Sequence, residues 1–299
     1  MGSKQKLGIG FLVLSGLVAI GAWRIEAAST RILATRYPIP VSALAVSSAQ
    51  SDAKDGERLA RLNGCMSCHG PQLAGRVRIS GYFGTRLIAP NLTRIVRHRL
   101  DAQLAAAIRF GIKPDGTSLI DMPAGKFVKS SDSDIAAIIA YLRTLPERPN
   151  ATAKSQWRFG GRAMLAMGLL PLEAAMVDPE ARGPAQTPTL PLALGRYITQ
   201  SQCSACHGAD LSGEPEESSP DLRFSIQHYS PAAFQRFLST GMGQKGHGTR
   251  VMTRTIHSQL KYLTVADVRA VYAYLNLPQA EAEKMEAPTP PSPARSPHS

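Results

Sequence analysis

The sequence predicts an all-α protein in which one apolar N-terminal helix is followed by two similar helical domains. Three observations support this fold class: an internal repeat, an uncharged apolar run near the N-terminus, and the lack of strand-like alternation over any useful length. With 299 residues, the chain is long enough for two domains of about 100–150 residues. Aromatic residues make up only 6% of it, so two cores would be hard to fill without another apolar component.

The apolar run covers residues 7–23, LGIGFLVLSGLVAIGAW, and follows Lys4 and Lys6. Its length is at the short limit for a membrane-spanning helix, and the lysines before it predict a cytoplasmic start. We therefore predict a single-pass anchor in the cytoplasmic (inner) membrane, with the rest of the chain in the periplasm. A signal peptide cleaved at residues 27–29 is the alternative, and in either case the bulk of the chain is exported.

Composition and the repeat together suggest where the parts of the chain begin and end. Prolines 38 and 40 indicate an extended tether, several Pro and Gly residues indicate an irregular connector, and a Pro/Ser-rich end indicates disorder. Within the connector, RAMLAMGLLPL at 162–172 is too short to cross a bilayer and is interpreted as a short helix packed on a domain. The predicted parts are an anchor at 1–24, a tether at 25–49, domain 1 at 50–148, the connector at 149–189, domain 2 at 190–279 and the disordered tail at 280–299.

The repeat aligns GERLARLNGCMSCHG with GRYITQSQCSACHG, and APNL at 89–92 with SPDL at 219–222. From His69 to Pro90 there are 21 positions, but from His207 to Pro220 only 13, so one loop is shorter in the second copy. Helix signals also recur. The predicted N-caps and helix-ending glycines of the two copies are Asp101, Ser131, Ser230 and Thr264, with Gly111 and Gly241.

All four cysteines fall in two C-x-x-C-H motifs, the attachment signature of haem c. Two thiols add to the vinyl groups on one side of the porphyrin, and the next histidine then binds the iron. The sequence therefore predicts two covalently bound haem c groups, which would also fill the two cores that lack aromatic residues. The predicted attachment residues are Cys65, Cys68 and His69 for one haem, and Cys203, Cys206 and His207 for the other.

Other uses of these cysteines fit less well. A structural zinc site needs four ligands in one place, whereas the two cysteine pairs lie 138 positions apart. A thioredoxin-like dithiol expects a βαβ context and has no need of the histidine. A structural disulfide is compatible with export but does not account for the same His-Gly following both pairs.

The remaining iron ligands are predicted from the repeat. Met122 in IDMPAGKF and Met252 in TRVMTRT occupy matching places, and thioether ligation suits electron transfer at moderately high potential. Met242, His247 and His257 lie near Met252 and leave the second ligand open. The backbone carbonyls of Pro90 and Pro220 are predicted to hold the second nitrogen of each proximal histidine. His98 and His228 are predicted to lie at the surface or beside the propionates.

These motifs resemble class I cytochromes c, and more closely the membrane-anchored dihaem cytochromes c of bacteria. The resemblance covers residues 50–148 and 190–278 and rests on CMSCHG, APNLT, IRFGIKPDG, DMPAGKF and SDSDIAAIIAYLRTLP. It implies that the first and last helices of each domain cross near Gly56 and Tyr141, and near Gly195 and Tyr274. It also implies covalent haem outside the cytoplasmic membrane, in a cytochrome subunit or partner of a periplasm-facing dehydrogenase that passes electrons towards a terminal oxidase.

The function that follows is an electron carrier rather than an enzyme, relaying single electrons between a dehydrogenase and a downstream cytochrome or oxidase. The alternative is a dihaem redox enzyme of the peroxidase or thiosulfate-oxidising type. That alternative is disfavoured because the chain has no fifth cysteine and both domains offer a methionine; a structural or assembly role would not need two haem motifs. A net charge of +12 favours acidic partners or anionic lipid, and its scatter along the chain argues against nucleic acid.

Overall fold

The structure is a computed structural model that describes residues 3–81, 84–149, 154–215, 219–243 and 250–286. Helices dominate the described residues, so the predicted all-α class with an apolar N-terminal helix and two domains is confirmed. The buried apolar side chains of both domains form one continuous cluster. The domains therefore pack directly against each other.

Helix α1 covers Ser3–Ala34 and is the single helix among the described residues that is long and apolar enough to cross a membrane. Residues 8–21 are exposed along their whole length, whereas from Ala22 onward one side of the helix is partly covered and Ser29 is buried. The covered part packs on a connector helix, whose Arg162 bonds Glu26 at 3.1 Å and the Ser29 hydroxyl at 3.0 Å. The helix thus continues well past residue 24, where the extended tether was predicted to begin.

The rest of the predicted tether lies on domain 1 instead of running free. The Tyr37 amide donates to the Gly116 carbonyl at 2.8 Å, and Ala43, in the short helix α2 (Val41–Leu44), is fully buried. The Ser48 hydroxyl donates to the Asp101 carboxylate at 2.7 Å. Pro38 and Pro40 themselves lie outside helices and strands. Burial and hydrogen bonds nevertheless attach the segment around them to the surface of domain 1.

Domain 1 is built on two helices that cross closely. Its first helix meets its last at Gly56, where a Cβ would lie 1.9 Å from the Ala137 carbonyl oxygen and 2.9 Å from the Tyr141 Cβ. The crossing implied by the family resemblance is therefore present, and it requires a glycine. The helices of this domain are α3 (Ala53–Leu62), α4 (Cys65–His69), α5 (Leu92–Ile95), α6 (Asp101–Phe110), α7 (Ala124–Phe127) and α8 (Asp132–Thr144).

A β-hairpin interrupts the helical pattern of domain 1, contrary to the expectation that no strands would form. Strands β1 (Arg76–Gly81) and β2 (Thr85–Ala89) pair antiparallel, with Arg76 opposite Ala89. The hairpin occupies the loop between His69 and Pro90 that is longer in the first copy than in the second. Its strands are too short, and β1 too exposed, to give a clear alternation in the sequence.

The described part of the connector forms two α-helices, α9 (Phe159–Ala166) and α10 (Glu173–Met176), and a short 3₁₀ helix at Pro179–Ala181. The predicted short helix in the apolar stretch at 162–172 therefore forms, although it begins three residues earlier and ends at Ala166. Its Gly161 amide donates to the Thr85 hydroxyl at 3.0 Å, which holds α9 on strand β2. Helix α9 thus lies between α1 and domain 1.

Domain 2 repeats the plan with a shorter loop. A Cβ on Gly195 would lie 2.1 Å from the Ala270 carbonyl oxygen and 2.8 Å from the Tyr274 Cβ, so the second crossing matches the first. The helices are α11 (Pro191–Ile198), α12 (Ser204–His207), α13 (Leu222–Ile226), α14 (Pro231–Thr240), α15 (Arg250–Ser258) and α16 (Val265–Leu275).

Most of the helix signals are confirmed. Ser131, Ser230 and Thr264 accept a hydrogen bond from the backbone three residues on, and Gly111 and Gly241 end their helices with φ of 66° and 75°. Asp101 is different, since Leu100 is the N-cap and Asp101 is the first helical residue.

The tail also differs from the prediction at its start. A further helix, α17 (Gln279–Glu286), occupies residues that were expected to be disordered from 280 onward. Its Ala282 side chain is buried as part of the core cluster. The remainder of the predicted disorder, residues 287–299, lies outside the described residues.

Candidate haem sites and the junction between them

The first cysteine motif forms a single short helix that follows a sharp turn. After α3 ends, Gly64 adopts a left-handed φ of 74°, and α4 then carries Cys65, Cys68 and His69. Residues three apart on a helix lie on the same side, so the two thiols can reach one edge of a ligand. Gly70, with φ of 83°, ends the helix directly after the histidine.

The His69 ring is oriented by a backbone carbonyl. Its Nδ1 lies 2.9 Å from the Pro90 carbonyl oxygen, which can only accept, so Nδ1 carries the hydrogen. This hydrogen bond leaves Nε2 with a lone pair that can bind a metal. The side chain is only 7% exposed, and burial lowers the pKa of His69, which favours the neutral ring that a metal needs.

The second motif reproduces this geometry on a different backbone. His207 Nδ1 lies 2.8 Å from the Pro220 carbonyl oxygen. The backbone pairing around the two histidines also repeats, since the amides of Gly75 and Gly213 donate to the carbonyls of His69 and His207 at 2.8 Å and 2.9 Å. The carbonyls of Pro90 and Pro220 therefore lie within hydrogen-bond distance of the Nδ1 atoms of the two histidines.

The two motifs differ in how the preceding helix enters them. In domain 2 the residue before the first cysteine is Gln202 instead of a left-handed glycine, and a π-helical turn, Thr199–Cys203, leads directly from α11 into the motif. The second copy of the repeat is one residue shorter at this point. The π-helical turn thus stands in domain 2 where domain 1 has the left-handed turn at Gly64.

The four cysteines are free thiols, and each pair is followed by an imidazole oriented for metal binding. Among the described residues, no group of three or more His, Cys, Asp and Glu side chains could hold a metal ion directly. A group that brings four metal ligands of its own and attaches through thiols is therefore the one that fits these side chains. Haem c has that chemistry.

Met122 lies in the loop between α6 and α7 and packs partly buried against the core. Asp121 beside it has a left-handed φ of 60° and pairs with Arg78 of strand β1 at 3.2 Å. The Glu173 carboxylate accepts from the Ala124 amide at 3.2 Å on the other side. The hairpin and the connector therefore hold the Met122 loop, and neither contact was foreseen in the sequence.

Met252 lies in α15 and is also partly buried against the core, while Met242 is 61% exposed. His257 Nε2 lies 2.9 Å from the Thr240 carbonyl oxygen, so this nitrogen is already engaged. His247 lies outside the described residues. Of the candidates for the second distal ligand, Met252 is thus the one favoured by burial.

His98 and His228 are both exposed, as expected for residues outside the ligand set. The His228 ring packs edge-on against Phe224 with centroids 5.1 Å apart, and its Nδ1 lies 3.2 Å from the Phe224 carbonyl oxygen. Both contacts are local to α13 and its end.

The two motifs meet at the contact between the domains. Gln202, next to Cys203, donates to the Asn63 side chain at 3.2 Å, two residues before Cys65. Lys129 donates to Gln200 and Ser204, both at 3.1 Å. We call this region the junction, defined by Asn63–Cys65, Lys126–Lys129, Gln200–Ser204 and Gln259. Sequence reasoning missed it, because its contacts join positions more than 60 residues apart.

Two helical domains, each with paired thiols and a histidine held by a prolyl carbonyl, define a class of covalently haem-binding, electron-transferring proteins. The cytochrome c family model matches residues 53–146 and 192–277, which together make up more than half of the chain. The chain belongs to the cytochrome c family. It binds haem c and is an electron-transfer component rather than a catalytic one.

Several relatives carry a cytochrome description. The chain is 26% identical over 257 residues to the fructose dehydrogenase cytochrome subunit of Gluconobacter japonicus, covering 76% of this chain and 53% of that protein. The gluconate 2-dehydrogenase cytochrome c subunit of Pantoea cypripedii is 26% identical over 265 residues, 74% of this chain and 58% of that protein. A diheme c-type cytochrome of Cereibacter sphaeroides is 24% identical over 265 residues, 75% and 85% respectively. The chain spans about half the length of the dehydrogenase subunits it matches.

Proposed function

We propose that this protein is a dihaem cytochrome c that relays single electrons from a periplasm-facing dehydrogenase to a downstream cytochrome or oxidase. The observation that carries the proposal is the repeated pair of histidine–proline hydrogen bonds, 2.9 Å and 2.8 Å long, in two motifs that meet at one junction. Two equivalent sites side by side suit a relay, because an electron received at one site can leave from the other.

Each site has a defined set of residues. In domain 1, Cys65 and Cys68 would attach the haem covalently, and His69 and Met122 would bind its iron. In domain 2 the same roles would fall to Cys203, Cys206, His207 and Met252. When bound, haem supplies an iron centre that takes up and releases one electron. The chain itself holds the imidazoles in the correct tautomer and keeps water from the buried His69 side.

The domain limits are part of this proposal. We place domain 1 at residues 50–148 and domain 2 at 190–279, limits that contain both stretches matched by the family model. Residues 36–48 add a packed extension to domain 1, and Glu173 of the connector proposed at 149–189 accepts a hydrogen bond from Ala124, next to the Met122 loop. Each domain would then carry its own complete haem site.

Helix α1 supports a membrane location. Its exposed apolar residues 8–21 have no partner among the described residues, and the part that follows is bonded to α9. We infer a single-pass anchor in the cytoplasmic membrane with both haem domains on the periplasmic side, a cleaved signal peptide being the other outcome. The net charge of +12 would attract the protein to acidic surfaces of partner proteins at low salt.

The dehydrogenase is proposed from the relatives' names. Fructose, gluconate and alcohol dehydrogenases each have a cytochrome subunit that resembles this chain. The partner proposed is therefore a dehydrogenase acting on a sugar, sugar acid or alcohol, whose electrons leave through this cytochrome.

The test is to express the full chain with haem c maturation, extract the membranes with mild detergent and count haem per chain by pyridine haemochrome absorbance. We expect two haems per chain, and one in each of the matched double variants Cys65→Ser/Cys68→Ser and Cys203→Ser/Cys206→Ser. One haem in the unaltered chain would overturn the dihaem proposal.

The partner is tested in the native organism by purifying the tagged chain from membranes and adding fructose, gluconate or ethanol. Co-purification of a dehydrogenase in fixed ratio, with reduction of the haems by one of these substrates, would support the proposal. Recovery of the chain alone, with haems that no such substrate reduces, would contradict the dehydrogenase link while leaving the haem count intact.

A further inference from the structure

Lys126 is a lysine of domain 1 that reaches the contact with domain 2. It lies in α7, four positions after Met122, and its side chain is partly buried. Its Nζ donates to the Gln259 side-chain oxygen of domain 2 at 2.9 Å. Gln259 itself lies over Gly64, where a Cβ would meet its Cδ at 3.0 Å, so the ammonium sits beside the turn that leads into Cys65.

The Lys126 charge acts on the cysteine motifs of both domains. It lowers the pKa of the Cys65 and Cys203 thiols, although burial outweighs it and raises each to about 12. Burial in turn lowers the pKa of Lys126, while the cysteines of both motifs oppose that shift. Helix α7, which carries Lys126, also contacts the π-helical turn Thr199–Cys203, so one cation lies near the attachment sites of both domains.

No carboxylate among the described residues forms an ion pair with Lys126, in contrast to several arginines of the same domain. Its hydrogen-bond partner, Gln259, is neutral. After haem attachment the cysteine sulfurs are neutral thioethers, so they do not cancel the ammonium charge either. A positive charge in a partly buried junction acts more strongly than the same charge in water.

We propose that Lys126 is a shared electrostatic element that raises the reduction potentials of both haems. The proposal rests on the proposed function, because it requires one haem attached in each domain. Adding an electron to either iron centre is favoured by a nearby positive charge, and the position of Lys126 between the motifs gives this effect to both centres at once. Lys126 thus raises the reduction potentials of both haems instead of increasing the difference between them.

The test is a spectroelectrochemical titration of the full chain with both haems bound, for the unaltered protein and for Lys126→Met. We expect both midpoint potentials to fall, each by an amount that corresponds to an equilibrium constant for reduction about tenfold smaller. Lys126→Arg keeps the charge and should keep both potentials near their original values. A fall of the same size in Lys126→Arg would show a packing effect and overturn the proposal.

Lys129→Met is the matched control, because Lys129 also bonds domain 2, but it does so through Gln200 and Ser204 instead of the Gln259 side chain that lies over the turn before Cys65. It should lower the potentials less than Lys126→Met. Equal shifts in the two variants, no shift in Lys126→Met, or a shift of only one haem would each overturn the inference. The number of haems per chain distinguishes failure of this inference from failure of the proposed function. Two haems without the expected shifts in potential contradict only the role of Lys126. Fewer than two haems in the unaltered chain contradict the proposed function as well.

Discussion

Gly56 on α3 lies directly against the carbonyl oxygen of Ala137 on α8, and no other residue could take its place without moving one of the two helices. A Cβ at this position would lie 1.9 Å from that oxygen, far inside normal contact. We expect Gly56→Ala to lower the free energy of unfolding by about 1–3 kcal/mol, as overpacking in a core does. Denaturant unfolding of the haem-loaded chain measures the change.

Gly125→Ala is the control for this substitution, because nothing lies within 4 Å of a Cβ added there. It should leave stability unchanged or increase it slightly, as alanine favours a helix. If Gly56→Ala were as stable as Gly125→Ala, the close crossing of α3 and α8 would be contradicted.

Substitution of the distal methionines should expose an iron coordination position. We expect Met122→Ala and Met252→Ala each to lower one midpoint potential, on the order of 0.1 V, because thioether ligation favours reduced iron. Each variant should also bind cyanide or carbon monoxide rapidly at one haem. Ultraviolet–visible spectra during redox titration and ligand addition check both effects.

Met242→Ala provides the comparison, since Met242 is 61% exposed and lies ten positions from Met252. Its potentials and its slow ligand binding should match those of the unaltered chain. Rapid ligand binding by the unaltered protein would favour the dihaem enzyme over the electron carrier.

Arg109 is fully buried and pairs with Asp132, while its Nη2 donates to the Ser130 carbonyl at 2.8 Å. Without Arg109, the mostly buried Asp132 carboxylate keeps, among the described residues, its longer ion pair with Arg182 at 3.5 Å, and the loss of a buried partner is costly. We expect Arg109→Met to lower the free energy of unfolding by about 3–5 kcal/mol, measured by denaturant titration.

The exposed pair Arg94–Glu147, at 3.7 Å, gives the contrast. Arg94→Met should change stability by less than about 1 kcal/mol. A similar loss in both variants would mean that burial does not determine the strength of these pairs.

Asp101 joins the segment before domain 1 to the last helix of the domain. Burial alone would raise the pKa of Asp101, but hydrogen bonds from Ser48 and Arg143 outweigh it and lower the pKa below its ordinary value of 3.8. Its contribution to stability is therefore complete above that value and is lost as the pH falls through the lower, folded-state pKa. Stability measured by denaturant titration from pH 6 downward should show this loss, and Asp101→Asn should show less of it.

Asp178→Asn changes an exposed carboxylate that bonds only the nearby Glu180 amide, at 2.9 Å, in the described structure. Its pH profile should follow that of the unaltered chain. An unchanged profile in Asp101→Asn would instead show that Ser48 and Arg143 do not act on this carboxylate in solution.

The sequence predicted the local and repeated features of this fold well. The helix starts at Ser131, Ser230 and Thr264 depend on neighbours in the chain, and the two histidine–proline pairs follow from the register of the repeat. These features are set by short-range geometry or by comparing one copy with the other, so the sequence contains the information directly.

The features that were missed depend on how distant segments pack. The contact between Lys126 and Gln259 joins positions 133 residues apart, and nothing near either residue signals it. The hairpin at Arg76–Ala89 and the packed segment from Tyr37 to Ser48 were missed because prolines, glycines and short strands have several local interpretations until a surface is available to cover them. The distal ligands remain predictions.

The packing of α1 on α9 makes the N-terminal helix a rigid stalk for domain 1. Arg162 of the connector helix bonds Glu26, Ser29 and Thr30 of α1, and the residues from Tyr37 onward are bonded to the domain surface, so only a few residues separate the two attachments. One residue inserted into this helix would rotate domain 1 by about 100° about the helix axis. The same residue inserted into a flexible linker would only increase the distance that the domain can reach. The number of residues in the helix therefore sets the rotation of domain 1 about the helix axis. A docking partner would always meet the same face of the domain.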